Sequence, residues 1–359
     1  MGDYTLVFDR VRGSLLGGAI GDALGWPIEF LQLAQIRQRY GAEGVQGFLP
    51  QHDAGAPQQI TDDTQMTLFT AEGLLRSVPG VDPVPALRKA YLRWLQTQRQ
   101  DAPAPDSDGW LASQPFLYAA RAPGNACMSG LNKQALGYLA PGMLDEPGPV
   151  NPGSKGCGTV MRSAPFGLAG AGGDLAFTTA ARSAQLTHGH PTGYLAAGAF
   201  AALIDRAVSG IELPIAVQQT ITQLAAFRAG AETIAALTRA VELSEGVATA
   251  EKVEQVGAGW IAEECLAIAV YCALYAVRTG DARAALLLSV NHSGDSDSTG
   301  AVAGNLIGAT QGVSGLPMEW ASAVEGRDVL VQVADDLVLN YFVGDRSALH
   351  DRYPFDEGL

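Results

Sequence analysis

Apolar residues recur along this chain at helical spacing far more often than they alternate. In residues 83–100, a proline near the start is followed by Leu87, Tyr91, Trp94 and Leu95 on one helical stripe. Residues 193–208 and 261–279 carry few charges over long stretches, as helices surrounded by other helices do. Residues 215–227 and 231–243 are more amphipathic. Runs of alternating β-branched residues are few, so no sizeable sheet is expected. The pattern predicts an all-α, bundle-like globule of more than about ten helices. Length over about 150 suggests roughly two domains, but no linker divides the chain. We read residues 1–359 as a single domain.

Two of these helices have glycine at every fourth position. The first row is Gly13, Gly17, Gly21 and Gly25; the second is Gly300, Gly304, Gly308 and Gly312. A four-residue repeat lines its members along one helix face. Each helical glycine costs about 0.8–1.0 kcal/mol relative to alanine. Helix ends account only for Gly25 and Gly312. Close approach of another helix backbone, with both helices central, is the simplest offset for the rest.

Composition narrows the class. Among 359 residues, 47% are hydrophobic and 17% charged, which excludes a disordered chain. A net charge of −14 and the lack of a basic patch argue against nucleic-acid binding. The longest uncharged apolar run, residues 265–277, is too short to span a bilayer, so no membrane association is expected. Asp3, Asp9 and Asp22 break any signal-peptide pattern. Of the four cysteines, Cys127, Cys157, Cys265 and Cys272, none forms a CxxC pair. Cys265 and Cys272 share a helix face and read as core. A reduced, cytoplasmic protein follows from this usage.

The chemistry concentrates in four short segments. Thr61-Asp62-Asp63-Thr64 and Gly294-Asp295-Ser296-Asp297-Ser298 both precede helical patterns, so each reads as a Thr- or Ser-capped helix start with an acidic first turn. If the two starts meet, four carboxylates crowd together, which is costly without cations. Two Mg²⁺ or Mn²⁺ ions, bound by oxygen atoms, would relieve the crowding. Neither segment has EF-hand spacing. In residues 155–162, glycines flank Cys157 and free the backbone to face an anion. This is neither a Walker loop nor a dinucleotide fingerprint. The fourth segment holds His188 and His190. It lacks further zinc ligands at suitable spacing, which leaves His188 as a substrate hydrogen-bonding or a plain loop histidine. Pro191 marks the next helix start. His52, His292 and His350 acquire no role.

Together these segments resemble the ADP-ribosylglycohydrolase family, which includes the dinitrogenase-reductase-activating glycohydrolases and the ADP-ribosyl-acceptor hydrolases. The similarity runs from the Gly13–Gly25 row, with Glu29 after it, through both acidic motifs, the Cys157 loop and the His188 loop to Gly312. It is weakest over residues 30–60. The resemblance implies two Mg²⁺ (or Mn²⁺) ions held by Thr61, Asp62 and Asp63 on one side and by Asp295, Asp297 and Ser298 on the other. Many members have Thr at the position of Ser298. It implies Glu29 on a mobile loop over the metals, with Glu29 or Asp63 as the base. Gly156, Gly158, Thr159, Met161, Arg162 and His188 would bind substrate. The implied activity is hydrolysis of ADP-ribose from modified proteins by a monomer, releasing ADP-ribose. The Gly-Asp-Ser-Asp-Ser-Thr-Gly form and the Cys157 loop are similar to arginine-specific members. A non-catalytic relative, an immunity-type binder of an ADP-ribosylating toxin, and a metal-dependent phosphohydrolase are the competing readings.

Overall fold

Residues 13–25 are buried without a break, and the helix that contains them forms one half of the molecular axis. The computed structural model describes residues 3–50 and 55–356; Met1, Gly2 and His52 lie outside the described residues. Sixteen α-helices are present among those described. The first eight are α1 (Thr5–Gly25), α2 (Leu33–Tyr40), α3 (Asp62–Leu75), α4 (Val84–Thr97), α5 (Asn125–Leu136), α6 (Ala164–Leu168), α7 (Gly173–Ala184) and α8 (Pro191–Val208). The rest are α9 (Leu213–Leu224), α10 (Ala231–Ser244), α11 (Ala250–Val256), α12 (Ala262–Thr279), α13 (Ala282–Val290), α14 (Ser296–Gln311), α15 (Met318–Ala323) and α16 (Arg327–Val338). No strand occurs among the described residues. Two isolated bridges, Gln58 with Val324 and Gly156 with Ile261, are the whole of the β pairing there.

The expected helices form with small shifts at their ends, where sequence signals are weakest. Pro191 opens α8, and the His190 ring accepts from the Thr192 amide at 3.2 Å. Gly280 stops α12 in the left-handed region at φ 73°. Cys265 and Cys272 are both fully buried in that helix.

The glycine rows meet each other. Helices α1 and α14 run antiparallel, with Gly13 against Gly308, Gly17 against Gly304 and Gly21 against Gly300. A Cβ built on Gly13 would lie 2.6 Å from the Gly308 carbonyl oxygen, and at Gly17, Gly21, Gly304 and Gly308 the clash would be closer still. Only glycine permits this backbone-to-backbone seam. Gly25, the last residue of α1, belongs to it, because its Cα faces the Ser296 backbone. Gly312 closes the row at the other end: its backbone carbon would lie 2.6 Å from a Cβ on Gly13, while its own φ of 72° ends α14 and its outer side faces the Asp9 carboxylate. The Asn305 side chain fastens the seam by donating to the Ser14 carbonyl at 2.8 Å. Helix α12 packs on α14, and α3, α8, α13 and α16 also pack around the pair.

The C-terminal segment is fastened from behind. Asp356 accepts from Arg76 at 2.8 Å and Arg93 at 3.0 Å, while Arg93 also pairs with the fully buried Glu72 at 2.8 Å. Both arginines also reach the exposed Asp108, at 3.0 and 3.1 Å, so the charges of Arg76, Arg93, Glu72 and Asp356 are paired and removing one partner would strand a buried charge.

The seam yields a direct test. Gly304→Leu forces a side chain into the Gly17 carbonyl and should destabilise the protein by about 3 kcal/mol or more, at the top of the overpacking range. Thermal melting should show the loss. Gly137→Ala, at a site with an extended φ of 173° and no heavy atom within 4 Å of the added Cβ, should melt like wild type. A wild-type melt for Gly304→Leu would show that the rows do not touch.

Candidate active site

The antiparallel register brings the C-terminal end of α1 to the N-terminal end of α14. Glu29, in the turn after α1, therefore sits beside Asp295 and Asp297, and carboxylate oxygens of the three lie within 4.8 Å of one another. Asp295 caps α14 through its own carboxylate, which accepts from the Ser298 amide at 3.4 Å. The expected Ser cap is not used, because Asp295 already occupies the capping position. Asp297 also accepts from the Ser298 amide, at 3.0 Å. The first acidic start is capped as expected: the Thr61 hydroxyl accepts from the Asp63 amide at 3.3 Å.

What holds the start of α3 in place is Asp22, on α1. Its buried carboxylate accepts from the Thr61 amide at 2.9 Å, the Thr64 amide at 3.2 Å and the Thr64 hydroxyl. Asp22 was not singled out from sequence as a functional position. Its signal was an acidic residue inside an otherwise apolar, glycine-rich helix.

The two acidic starts line one cleft of about 340 Å³. Glu29, Asp62, Asp63, Asp295, Asp297 and Ser298 line it, together with Gly156, Gly158, Met161 and His188. Three sequence-selected residues stand behind the wall. The Thr61 hydroxyl caps α3, the Thr159 hydroxyl donates to the Gly193 carbonyl at 3.1 Å, and Arg162 is buried under the floor. Lining residues without a sequence signal are Phe30, Trp260 and the 122–127 segment. Phe30 and Trp260 stack at the rim with ring centroids 5.7 Å apart. The Gly124 amide donates to Asp62 at 3.2 Å.

The Cys157 loop is held by an antiparallel pairing with the segment before α12: the Cys157 amide donates to the Trp260 carbonyl at 3.1 Å and the Ala262 amide to the Lys155 carbonyl at 2.9 Å. Lys155 is engaged elsewhere, by Glu232 and Glu263. A Cβ at Gly158 would lie 2.8 Å from the Cys127 sulfur and 3.2 Å from the His188 ring, so glycine is required there. At Gly156 the corresponding distance to His188 is an ordinary 3.6 Å.

Electrostatically the cleft is under strain. Burial, with the neighbouring carboxylates adding to it, pushes Glu29 and Asp62 up to about 8, and Asp63 and Asp297 well above the ordinary range. Asp22, also buried but better supplied with donors, rises only to about 6. No Lys or Arg forms an ion pair with these cleft carboxylates among the described residues. Glu29 Oε2 and Asp63 Oδ1 are buried without any hydrogen-bond partner. Orphaned oxygens in an uncompensated acidic cluster fit hard, oxygen-seeking divalent cations. The Cys157 sulfur reaches Asp295 Oδ2 at 2.7 Å, but burial and that carboxylate push its thiol well up. It is therefore a protonated donor to Asp295 rather than a soft metal ligand.

The fold is all-helical, and its acidic cleft between two helix starts, walled by a glycine-rich loop, offers carboxylates that could hold a metal ion. A family model described as ADP-ribosylglycohydrolase matches residues 3–346, and the chain belongs to that family, whose members hydrolyse ADP-ribose glycosidic bonds and generally use divalent metals. Among similar proteins is the ADP-ribosyl-[dinitrogen reductase] glycohydrolase of Rhodospirillum rubrum, 28% identical over 89% of this chain and 91% of its own length. The ADP-ribosylarginine hydrolase Tri1 of Pseudomonas putida is 26% identical over 92% of this chain and 78% of its own. A solved structure titled ADP-ribosylglycohydrolase-related protein complex superposes with a TM-score of 0.60 at 25% identity, covering 93% of this chain and 98% of that one. No helix among the described residues is long and apolar enough to cross a membrane.

The raised carboxylates set a pH signature. With folded values above the unfolded value of about 4, protons favour the folded state. That stability is complete below about pH 4 and is lost as pH rises through about 8 for Glu29 and Asp62. Melting of chelator-treated protein should therefore fall as pH rises between these limits. Excess Mn²⁺, which binds the deprotonated form, should flatten or reverse the slope. Identical slopes with and without the ion would show that the carboxylates do not face a cation.

Proposed function

We propose that this protein is a divalent-metal-dependent hydrolase that removes ADP-ribose from modified arginine side chains by cleaving the N-glycosidic bond. The observation that carries this reading is the meeting of two acidic helix starts in one cleft, with unpartnered oxygens on Glu29 and Asp63. Asp62, Asp63, Asp295 and Asp297, with Thr61 and Ser298, would hold two Mg²⁺ or Mn²⁺ ions. Bound there, the ions would supply Lewis acidity that orients the ribose hydroxyls and a nucleophilic water.

The chain's own groups do the rest. Glu29 or Asp63 takes the proton of the attacking water; both line the cleft, and each has a buried oxygen without a hydrogen-bond partner. Gly156, Gly158, Met161 and His188 form the wall against which the ADP-ribose lies. Ordinary glycosidases use two metal-free carboxylates.

Arginine is favoured over serine linkage on two grounds. The Gly294–Gly300 motif and the Cys157 loop resemble arginine-specific members, and Tri1, by its name, acts on ADP-ribosylarginine. A guanidine also leaves as a strong base that takes a proton readily, whereas a serine alkoxide needs firmer protonation.

Release of free ADP-ribose from arginine-linked and serine-linked proteins at matched concentration tests the reading. Arginine-linked substrate should be cleaved faster, EDTA should abolish turnover, and added Mg²⁺ or Mn²⁺ should restore it. Faster serine cleavage would overturn the linkage assignment, and full activity in EDTA would overturn the metals. Asp297→Ala should lower turnover by about 100-fold or more and weaken Mn²⁺ binding in calorimetry. Comparing Glu29→Gln with Asp63→Asn identifies the base: its variant loses kcat while keeping both Mn²⁺ and ADP-ribose affinity.

A further inference from the structure

Arg162 presents an anomaly. Its guanidinium is 1% exposed, yet among the described residues no carboxylate pairs with it. Its Nη2 donates to the Thr187 hydroxyl at 2.8 Å, its Nη1 lies 3.6 Å from the Cys127 sulfur, and its carbon stands 4.5 Å over the Tyr91 ring. It does not line the cleft, so it cannot touch a ligand there. His188 does line it, next along the same chain of contacts. Its Nδ1 is 2.8 Å from the Thr187 hydroxyl oxygen.

The proton on that short contact can be placed by accounting for donors and acceptors. The Thr187 hydroxyl has one hydrogen and two lone pairs, and Arg162 takes one lone pair. The other candidate acceptor for the hydrogen is the Ala184 carbonyl, 3.4 Å away. That carbonyl already accepts from the amides of Thr187 at 3.1 Å and His188 at 2.9 Å, which uses both its lone pairs. The hydroxyl hydrogen therefore points to His188 Nδ1. The Arg162 charge favours the same choice, since it attracts a lone pair at Nδ1 and repels an N–H dipole there.

We propose that Arg162 is a positioning residue which, through Thr187, locks His188 as its Nε2–H tautomer and so presents a neutral N–H donor to an anionic or hydroxyl oxygen of the ligand beside Gly156 and Gly158. The identity of that ligand as ADP-ribose rests on the function proposed above; the tautomer does not. The ring edge nearest the two glycines carries Nε2, which a Cβ on Gly156 would approach to 3.6 Å and one on Gly158 to 3.4 Å. The titratable groups around the imidazole are Arg162 and the Cys127 thiol, which burial pushes up to about 12 and so keeps neutral. Burial and Arg162 together hold His188 down to about 3. A donor that never becomes an imidazolium keeps its hydrogen bond unchanged across the physiological range.

Long-range proton–nitrogen NMR on histidine-labelled, ligand-free protein reads the tautomer directly. Wild type should show a protonated Nε2, an unprotonated hydrogen-bonded Nδ1, and no titration from about pH 5 to 8. Thr187→Val should release the lock, giving mixed tautomers and roughly tenfold weaker ADP-ribose binding in calorimetry. Thr187→Ser, which keeps the hydroxyl, should restore both. Arg162→Met should loosen the tautomer while Mn²⁺ affinity stays at the wild-type value, the sign that the fold is intact. A protonated Nδ1 in wild type, titration near the ordinary value of about 6.5, or an unchanged tautomer in Thr187→Val would each overturn the assignment. Wild type that binds no ADP-ribose would overturn the ligand alone, because the tautomer is read on the free protein.

Discussion

Everything in this molecule depends on two helix backbones in direct contact. The glycines of α1 and α14 carry an intrinsic helical penalty of about 0.8–1.0 kcal/mol each. Packing without side chains between the backbones, and near-complete burial of residues 13–25 and 296–309, offset it. Close-packed interiors transmit displacement rather than absorb it. A seam of this kind therefore acts as a ruler. With Gly21 on Gly300 and Gly25 on Ser296, the place of Glu29 relative to Asp295 and Asp297 has little latitude.

The same helix positions the other half of the cleft. Asp22 lies one residue beyond Gly21 and clamps the first amides of α3, so the Asp62 and Asp63 carboxylates are set from α1 as well. Helix amides prefer an anion at their start, and Asp22 fills that role without facing the cleft. This leaves Asp62 and Asp63 free to point their charge into the cavity. Two acidic starts on separate elements, α3 and α14, thus share one reference frame. That arrangement permits a site built to fine tolerance on rigid helices rather than on loops.

Around this rigid acidic floor the walls divide their labour. Cys157, on the cleft surface, donates to Asp295; behind that surface Thr159 fastens the same loop to Gly193, and Arg162 acts on His188 through Thr187. The Cys157 loop itself hangs on the segment before α12 by two main-chain hydrogen bonds. Strain is concentrated at the carboxylates, where burial raises proton affinity and no cationic side chain answers it. Functional sites are where such local conflicts with stability are expected.

The sequence alone determined the fold class, because the 3.6-residue period and the scarcity of alternation leave no other way to bury the apolar positions. It also determined that the glycine rows pack closely, since a penalty repeated at every fourth residue demands a contact, and that the two acidic motifs begin helices. Both are local properties, written in neighbouring residues. It left undecided which surfaces meet. The antiparallel register of α1 and α14, the clamp of Asp22 on α3, the arrival of Phe30, Trp260 and the 122–127 segment at the cleft, and the retreat of Thr159 and Arg162 behind its wall all join residues far apart in the chain. Arg162 shows the reason most plainly. One residue from Met161, which lines the cleft, it points the other way, and only the packing of Tyr91, Cys127 and Thr187 around it decides that direction.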